Sequence, residues 1–200
     1  MTERKVLRVQ WHDYNNGVYF ITICTFQKKH LFGHISKERI HYTKEGEIVR
    51  QCIKAIPFHH RHVELWNYVV MPNHIHFVIA VGAQYFAPTR AVDALRESLQ
   101  HVMVPATTDN LSNVGCIKPP RHGEACTDNH FNSKVAVIVR SFKAACTIEV
   151  NRNLRAQKPL QIWQRNYHEH IIREQYSFDN IMYYIDHNVA MWDSDCFNRT

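Results

Sequence analysis

Two apolar runs, "HVELWNYVV" at 62–70 and "HIHFVIAV" at 74–81, are separated by only three residues, "MPN". No other feature of the chain restricts its fold as much. β-Branched and aromatic residues fill both runs, as a pleated and largely buried surface favours. Pro72 and Asn73 supply turn chemistry between them. The expected unit is an antiparallel hairpin. "GVYFITICTF" (17–26), entered through a glycine, reads as a further strand, and "LFGHI" (31–35) as a short one after it.

Helical spacing takes over elsewhere. In "TKEGEIVRQCIKAI" (43–56) the apolar positions Ile48, Cys52 and Ile56 recur every fourth residue, with Thr43 as N-cap and Pro57 as stop. "SKVAVIVRSFKAACTIEVNR" (133–152) has a stripe of Val135, Ile138, Phe142, Cys146 and Val150, while Arg140, Lys143 and Thr147 share another face that is free to meet phosphate. "LQIWQRNYHEHIIR" (160–173) reads as a strand, and "SFDNIMYYIDHNVAMW" (177–192) as a last helix capped near Ser177. Between them, 83–132 collects Pro, Gly, Asn and Thr around one helix-like stretch, "AVDALRESLQHV", and reads as an insertion. Without it the order is strand, helix, strand, strand, helix, strand, and one added helix. That is the split βαβ plan of α+β ferredoxin-like folds: an antiparallel sheet with helices on one face and the other face open to a ligand, as in RNA-recognition domains.

Length and composition set the outer bounds. Two hundred residues fit one domain, 1–200, with the insertion at about 83–132. The apolar fraction of 45% is that of a folded core, yet no 18-residue apolar run exists to span a membrane, and the charged N-terminus lacks a secretory core. A cytoplasmic protein is expected, and the six scattered cysteines fit a reducing compartment. A zinc knuckle from Cys116, His122, Cys126 and His130 matches no recurrent ligand spacing. The net charge of +6 is compatible with a polyanionic partner but does not require one.

Fifteen histidines lower the significance of any chance pair, so position must carry the case. On a strand, His74 and His76 project from one face while Ile75 turns to the other, and two adjacent imidazoles can share a metal ion. A solvated polar pair is the simpler reading. Tyr184 and Asn188, four apart on the last helix, stack on one face beside the stripe of Phe178, Met182 and Ile185, and a phenol and an amide oxygen could face one site. Each pair alone is unspecific.

The blocks "VYFITICTFQKKHLFGHI", "WNYVVMPNHIHFVI", "VIVRSFKAACTIEVN", "IWQRNYHEHIIR" and "FDNIMYYIDHNV" follow one another as in the REP-associated tyrosine transposases, which the chain resembles over about 14–81 and 133–192. These are members of the HUH endonucleases, named for His-hydrophobic-His, and relatives of bacterial single-strand insertion-sequence transposases. The resemblance implies that His74 and His76 are metal ligands, that Asn188 is the third, and that Tyr184, opening a "YIxxN" stretch, is the catalytic nucleophile. Tyr183 is a rival that points about 100° away on a helix. Val189 stands where the family commonly has Pro, which leaves the local helix end open.

What the resemblance implies for function is a metal-dependent single-strand DNA endonuclease and transposase. It would cleave and rejoin DNA near palindromic hairpins, such as repetitive extragenic palindromes, through a 5′-phosphotyrosine intermediate. Mg²⁺ or Mn²⁺ is the expected ion, and single-stranded or hairpin DNA the partner. Arg4, Lys5, Arg8, Arg140 and Lys143 are candidate phosphate contacts. The protein is expected to act in DNA recombination at the bacterial nucleoid, as a monomer rather than as the dimer used by insertion-sequence relatives. Two other readings compete: a catalytically idle nucleic-acid-binding module derived from such an enzyme, and a zinc-stabilised structural protein.

Overall fold

A computed structural model describes residues 15–82, 133–154 and 159–198. In chain order these form β1 (Gly17–Cys24), β2 (Gly33–Ser36), β3 (Arg39–Tyr42), α1 (Lys44–Lys54), α2 (Ile56–His59), β4 (Val63–Val70), β5 (His74–Val81), α3 (Lys134–Leu154), β6 (His168–Ile172) and α4 (Gln175–His187). Four strands make an antiparallel sheet in the order β4-β5-β1-β6, and β2 and β3 make a separate two-stranded ribbon. This is the expected α+β arrangement. The "MPN" turn joins β4 to β5 as expected, closed by the Met71 amide donating to the His74 carbonyl at 2.8 Å.

β1 and β5 are central, and every residue of β5 is buried, which is why its sequence runs apolar instead of alternating with polar residues. The alternation is still decisive because it sorts side chains between two cores. Ile75, Phe77 and Ile79 join the stripes of α1 and α3 on one face. Val78 and Ala80 join Phe20, Ile181, Ile185 and Trp192 on the other. Helices therefore cover both faces. The expectation of an open face fails because α4 and the turns after it lie over the half of the sheet carrying His74 and His76.

Local signals mostly hold. Thr43 caps α1, its hydroxyl accepting from the Gly46 amide at 3.1 Å. The buried stripe of α1 is Val49, Ile53 and then Ile56, with Ile48 and Cys52 half-buried at its edge, so the expected stripe is rotated by one residue. Pro57 does not stop that helix; it enters the first turn of α2, where its missing N–H costs nothing. All five stripe residues expected in α3 are buried. The 160–173 strand shrinks to His168–Ile172, preceded by an isolated bridge between Thr25 and Trp163. α4 starts at Gln175 with Glu174 as N-cap, so Ser177 sits inside the helix and not at its cap; its hydroxyl lies 3.3 Å from His170 Nε2. The sequence reading missed β3, the partner of the short "LFGHI" strand.

Residues Arg4, Lys5 and Arg8, the stretch 83–132 and the Cys116, His122, Cys126 and His130 knuckle lie outside the described residues. The two points flanking 83–132 nonetheless meet. Gly82 (φ +82°) lies so close to Asn16 that a side chain there would strike the Asn16 amide oxygen, and the Lys134 amide donates to Asn15 Oδ1 at 3.2 Å. Flanking points this close can be joined by a short linker without stretching the elements on either side. Replacing 83–132 with a short Gly/Ser linker is expected to leave a soluble protein that melts in one cooperative transition by circular dichroism. A non-cooperative melt would assign the segment to the core.

Candidate active site

His74 and His76 sit on the α4 side of β5, 0% and 2% exposed, with ring centroids 4.5 Å apart. Both rings are fixed through the same atom. The β1–β5 register sets Thr22 directly opposite His76, and Thr22 Oγ1 lies 2.8 Å from His76 Nδ1. His74 Nδ1 lies 2.8 Å from Asn73 Oδ1, an acceptor, so His74 carries its proton on Nδ1. Asn73 is itself locked: its amide nitrogen donates to the Phe197 carbonyl at 2.9 Å, and its own carbonyl accepts from the Thr25 amide and hydroxyl. In both rings Nε2 is left to face the site. The Nε2 of His74 is buried without a hydrogen-bond partner. Fixing the far nitrogen while the near one keeps a lone pair is how proteins prepare a ligating histidine.

α4 delivers the other two residues. Ile181 and Ile185 pack against Val78 and Ala80, and Asn67 of β4 donates to Asp186 at 2.8 Å, so the helix lies over the histidines. Tyr184 Oη then lies 3.2 Å from His76 Nε2, with the two rings 5.2 Å apart. Tyr183 points elsewhere, 39% exposed and stacked on His187 at 3.8 Å. Asn188 is 1% exposed, and neither its amide oxygen nor its amide nitrogen completes a hydrogen bond of good geometry. Its backbone stays right-handed helical, and the Met191 amide bonds the His187 carbonyl beyond it, so Val189 extends the turn that a proline would alter.

The turns after α4 close the site. The Phe197 ring lies 4.4 Å from that of His74 and 5.9 Å from that of His76, and Trp192 stacks on His74 at 6.1 Å. Asp195 accepts from the Phe197 amide at 2.7 Å. Burial pushes the Asp195 carboxyl up, opposed by that amide, the Cys196 thiol, the Asn188 amide and the Tyr184 hydroxyl, which places its carboxylate beside both Tyr184 and Asn188. Burial drives the His76 imidazole down to about 3. His74 is also lowered, first by burial and then by His76, Lys28 and His30. Both rings are therefore neutral, as ligation requires. Among the described residues no group of three or more His, Cys, Asp or Glu side chains is gathered for a metal. The donor set on offer is two imidazoles and an amide, and its orphaned buried atoms fit a cation.

A cavity of about 270 Å³ opens beside this corner, between the sheet and α4, lined by His76, Tyr184, Phe20, His168, His170 and Asn180 among others. His168 and His170 pair with Thr22 and Phe20 across β1, so their side chains share the face of His76.

The structure thus brings His74, His76 and Tyr184 together and sets Asn188 alongside. Lys143 lies apart from them: α3 packs on the other face of the sheet, and Lys143 Nζ donates to the carbonyls of Gln164 and Arg165 at 2.6 and 3.2 Å. Arg140 is exposed on the same helix. Residues that sequence reasoning missed are Thr22, Asn73, Asp195 and Phe197. Asn73 was legible only as a turn former, and Thr22 needed the strand register. Asp195 and Phe197 follow the last recognisable block. No helix among the described residues is long and apolar enough to cross a membrane.

The chain belongs to the same family as an uncharacterized protein of Haemophilus influenzae, with 32% identity over 193 residues covering 96% of this chain and 91% of that one. No family model matches it. Among solved structures it is similar to a REP-associated tyrosine transposase bound to a REP hairpin, at 16% identity and a TM-score of 0.48, covering 96% of this chain and 74% of that one. It is also similar to a candidate transposase of Deinococcus radiodurans R1, at 12% identity and a TM-score of 0.42, covering 90% and 96%.

Burying two neutral imidazoles makes stability depend on pH. The unfolded chain takes up protons at these positions below about pH 6.5, whereas folded His76 does so only near pH 3. Stability is therefore full above about pH 6.5 and is lost on acidification toward 3, approaching about 1.4 kcal/mol per pH unit for each histidine. Urea titrations in EDTA are expected to show this decline, and His76→Gln to remove one histidine's share of the slope. An unchanged slope in the variant would contradict the buried, neutral assignment.

Proposed function

We propose that the protein is a metal-dependent single-strand DNA endonuclease and strand transferase, a tyrosine transposase, in which Tyr184 is the nucleophile and His74, His76 and Asn188 are the metal ligands. The observation that carries this reading is the Tyr184 hydroxyl 3.2 Å from the site-facing nitrogen of one anchored histidine, beside a second whose equivalent nitrogen has no partner. A structural histidine pair needs no phenol there, and a binding module needs no unsatisfied donors.

A bound divalent cation would supply Lewis-acid stabilisation of the charge on the phosphate oxygens. Two imidazoles and an amide carry no charge of their own, so they leave the cation's charge to the phosphate. Imidazole donors suit Mn²⁺ more than Mg²⁺, which prefers oxygen, and Mn²⁺ is the better probe. The rest belongs to the chain. α4 holds the Tyr184 oxygen at the edge of the ligand set, so nucleophile and phosphate meet in one corner with little reorientation. Attack by Tyr184 forms the phosphotyrosine bond as the bond from phosphorus to the 3′ oxygen breaks; the phenol loses its proton and the 3′ oxygen gains one. The phosphodiester's energy is kept, so a 3′ hydroxyl can reverse the step and rejoin strands without a nucleotide cofactor. Flexible single strands reach this recess between sheet and helix, where a stacked duplex does not. In this reading one chain supplies both Tyr184 and His76, as a monomeric active unit requires.

Mn²⁺ and single-stranded DNA carrying a hairpin, labelled 3′ of the break, test the reading by denaturing electrophoresis. Wild type and Tyr183→Phe are expected to give a covalent adduct, and Tyr184→Phe none, while Tyr184→Phe keeps its Mn²⁺ affinity. An adduct that survives in Tyr184→Phe and disappears in Tyr183→Phe would move the nucleophile. No adduct with any palindromic substrate would favour the idle binding module. Because both histidines are buried and not surface ligands, His74→Ala is expected to lose fold stability as well as metal. Thr22→Val is the cleaner probe of ligation: freeing His76 Nδ1 is expected to weaken Mn²⁺ binding by about 10- to 100-fold in calorimetry, at a stability cost of about 1–3 kcal/mol for the stranded nitrogen that leaves the protein folded.

A further inference from the structure

The β2–β3 ribbon takes no part in the chemistry above, yet its surface is strongly biased. Its pleat sorts Ile35, Ile40 and Tyr42 onto a half-buried face and His34, Ser36, Arg39 and His41 onto an exposed one. The exposed face is made of cross-strand pairs: Ser36 opposite Arg39, and His34 opposite His41 with rings stacked at 5.0 Å and 17°. From 28 to 44 the chain carries Lys28, Lys29, Lys37, Arg39 and Lys44 against one acid, Glu38, so these residues hold four of the chain's six net positive charges. None of the five forms an ion pair among the described residues.

The backbone is strained at the start of this run and at the ribbon tip. Lys37 (φ 51°) and Glu38 (φ 57°) occupy a two-residue hairpin loop whose left-handed positions favour Asn and Gly. Gln27 (φ 56°) and Lys28 (φ 54°) are left-handed too. The second strained pair sets Lys28 Nζ 5.5 Å from the centre of the Phe197 ring, which itself lies against His74. The basic run therefore starts beside the candidate active site and passes through the ribbon tip. Strain retained at non-glycine positions points to a use for the side chains displayed there.

We infer that the exposed face of the β2–β3 ribbon docks in the major groove of a DNA duplex, holding a stem while the adjoining single strand reaches Tyr184. This rests on the nucleic-acid chemistry proposed above. The occupant follows from the shape and composition of the face. A two-stranded ribbon fits a groove about 12 Å wide, and Arg, Ser and His are donors to base edges and phosphates. Single strands are held on aromatic platforms, and the pairs on this face include no Phe, Tyr or Trp. Arg39 is the groove contact, and Lys37 at the tip is a phosphate contact.

The test uses full-length Tyr184→Phe protein in EDTA, so that docking is read without cleavage. Fluorescence anisotropy would compare a stem-loop of about ten base pairs, one helical turn, with an unstructured strand of equal length. Adding Lys37→Ala and Arg39→Ala is expected to weaken stem-loop binding about tenfold or more. The slope of log affinity against log salt should fall by about 1 to 2, and binding of the unstructured strand should not change. Lys37→Arg with Arg39→Lys should restore the salt slope, and unchanged melting of each variant shows that the ribbon is intact. Equal losses on both DNAs, or no loss on the stem-loop, would overturn the inference. Mn²⁺-dependent adduct formation by protein with an intact Tyr184 is read separately: stem-loop docking without any adduct refutes the proposed chemistry and leaves the ribbon's role standing.

Discussion

The β1–β5 register is the constraint on which the site depends. With Thr22 opposite His76 and Cys24 opposite His74, both imidazoles fall on one face of the sheet, and the Thr22 hydroxyl reaches the ring nitrogen turned away from the site. A slip of one residue would exchange the faces, sending Ile75 and Phe77 toward α4 and both histidines into the apolar core beneath α1 and α3. The packing forbids this. Ile75, Phe77 and Ile79 are fully buried against those helices, and polar rings cannot replace them without stranding their nitrogens. The hydrophobic alternation that folds the sheet is therefore also what aims the two histidines.

α4 converts that strand geometry into a site. Its apolar contacts, Ile181 and Ile185 on Val78 and Ala80, are ordinary burial. They leave Tyr184 one residue off the buried line and Asn188 one turn further on, so the positions nearest the histidines go to polar side chains. The arrangement opposes stability: a buried polar atom without a partner costs about 1–3 kcal/mol, His74 Nε2 is such an atom, and the buried Asn188 amide has only the loose approach of the Asp195 carboxylate. Apolar residues of the same size would suit a structural protein better. A buried nitrogen left bare in this way is what the proposed cation would satisfy.

The sequence shows these elements unevenly, for physical reasons. Strands β1, β4 and β5 were legible because β-branched and aromatic runs between turn residues have one stable use. α3 was legible because its stripe of five residues repeats over about four turns. The stripe of α1 was read one residue out, since Ile48 and Cys52 are apolar enough to extend the pattern while Val49 and Ile53 make the contacts. β3 was missed because "RIHY" is short and polar on one face, and only its partner defines it. The histidine pair was visible as a motif, but its burial was not. Burial depends on where the last helix lands, and the local pattern of α4 does not state that. Thr22, Asn73 and Asp195 are common polar residues whose roles exist only once strand register and chain ends are fixed.

The direction in which each ring is held distinguishes a ligand pair from a core pair. A core histidine is satisfied at both nitrogens, because either one left bare in a dry environment is destabilising. Here Thr22 and Asn73, on different elements, each take the Nδ1 side, and Asn73 is held in turn by Thr25 and by the backbone of Phe197. Those interactions orient both rings and turn the two Nε2 atoms toward one corner. The Nε2 side of His76 meets only a phenol, and that of His74 meets nothing. Packing alone does not explain the bare Nε2 of His74, since a change of that residue to Leu or Met would relieve it. A bare imidazole nitrogen beside a neighbour bonded to a phenol, behind a layer of residues that orients both rings, is the physical argument for chemistry at this corner.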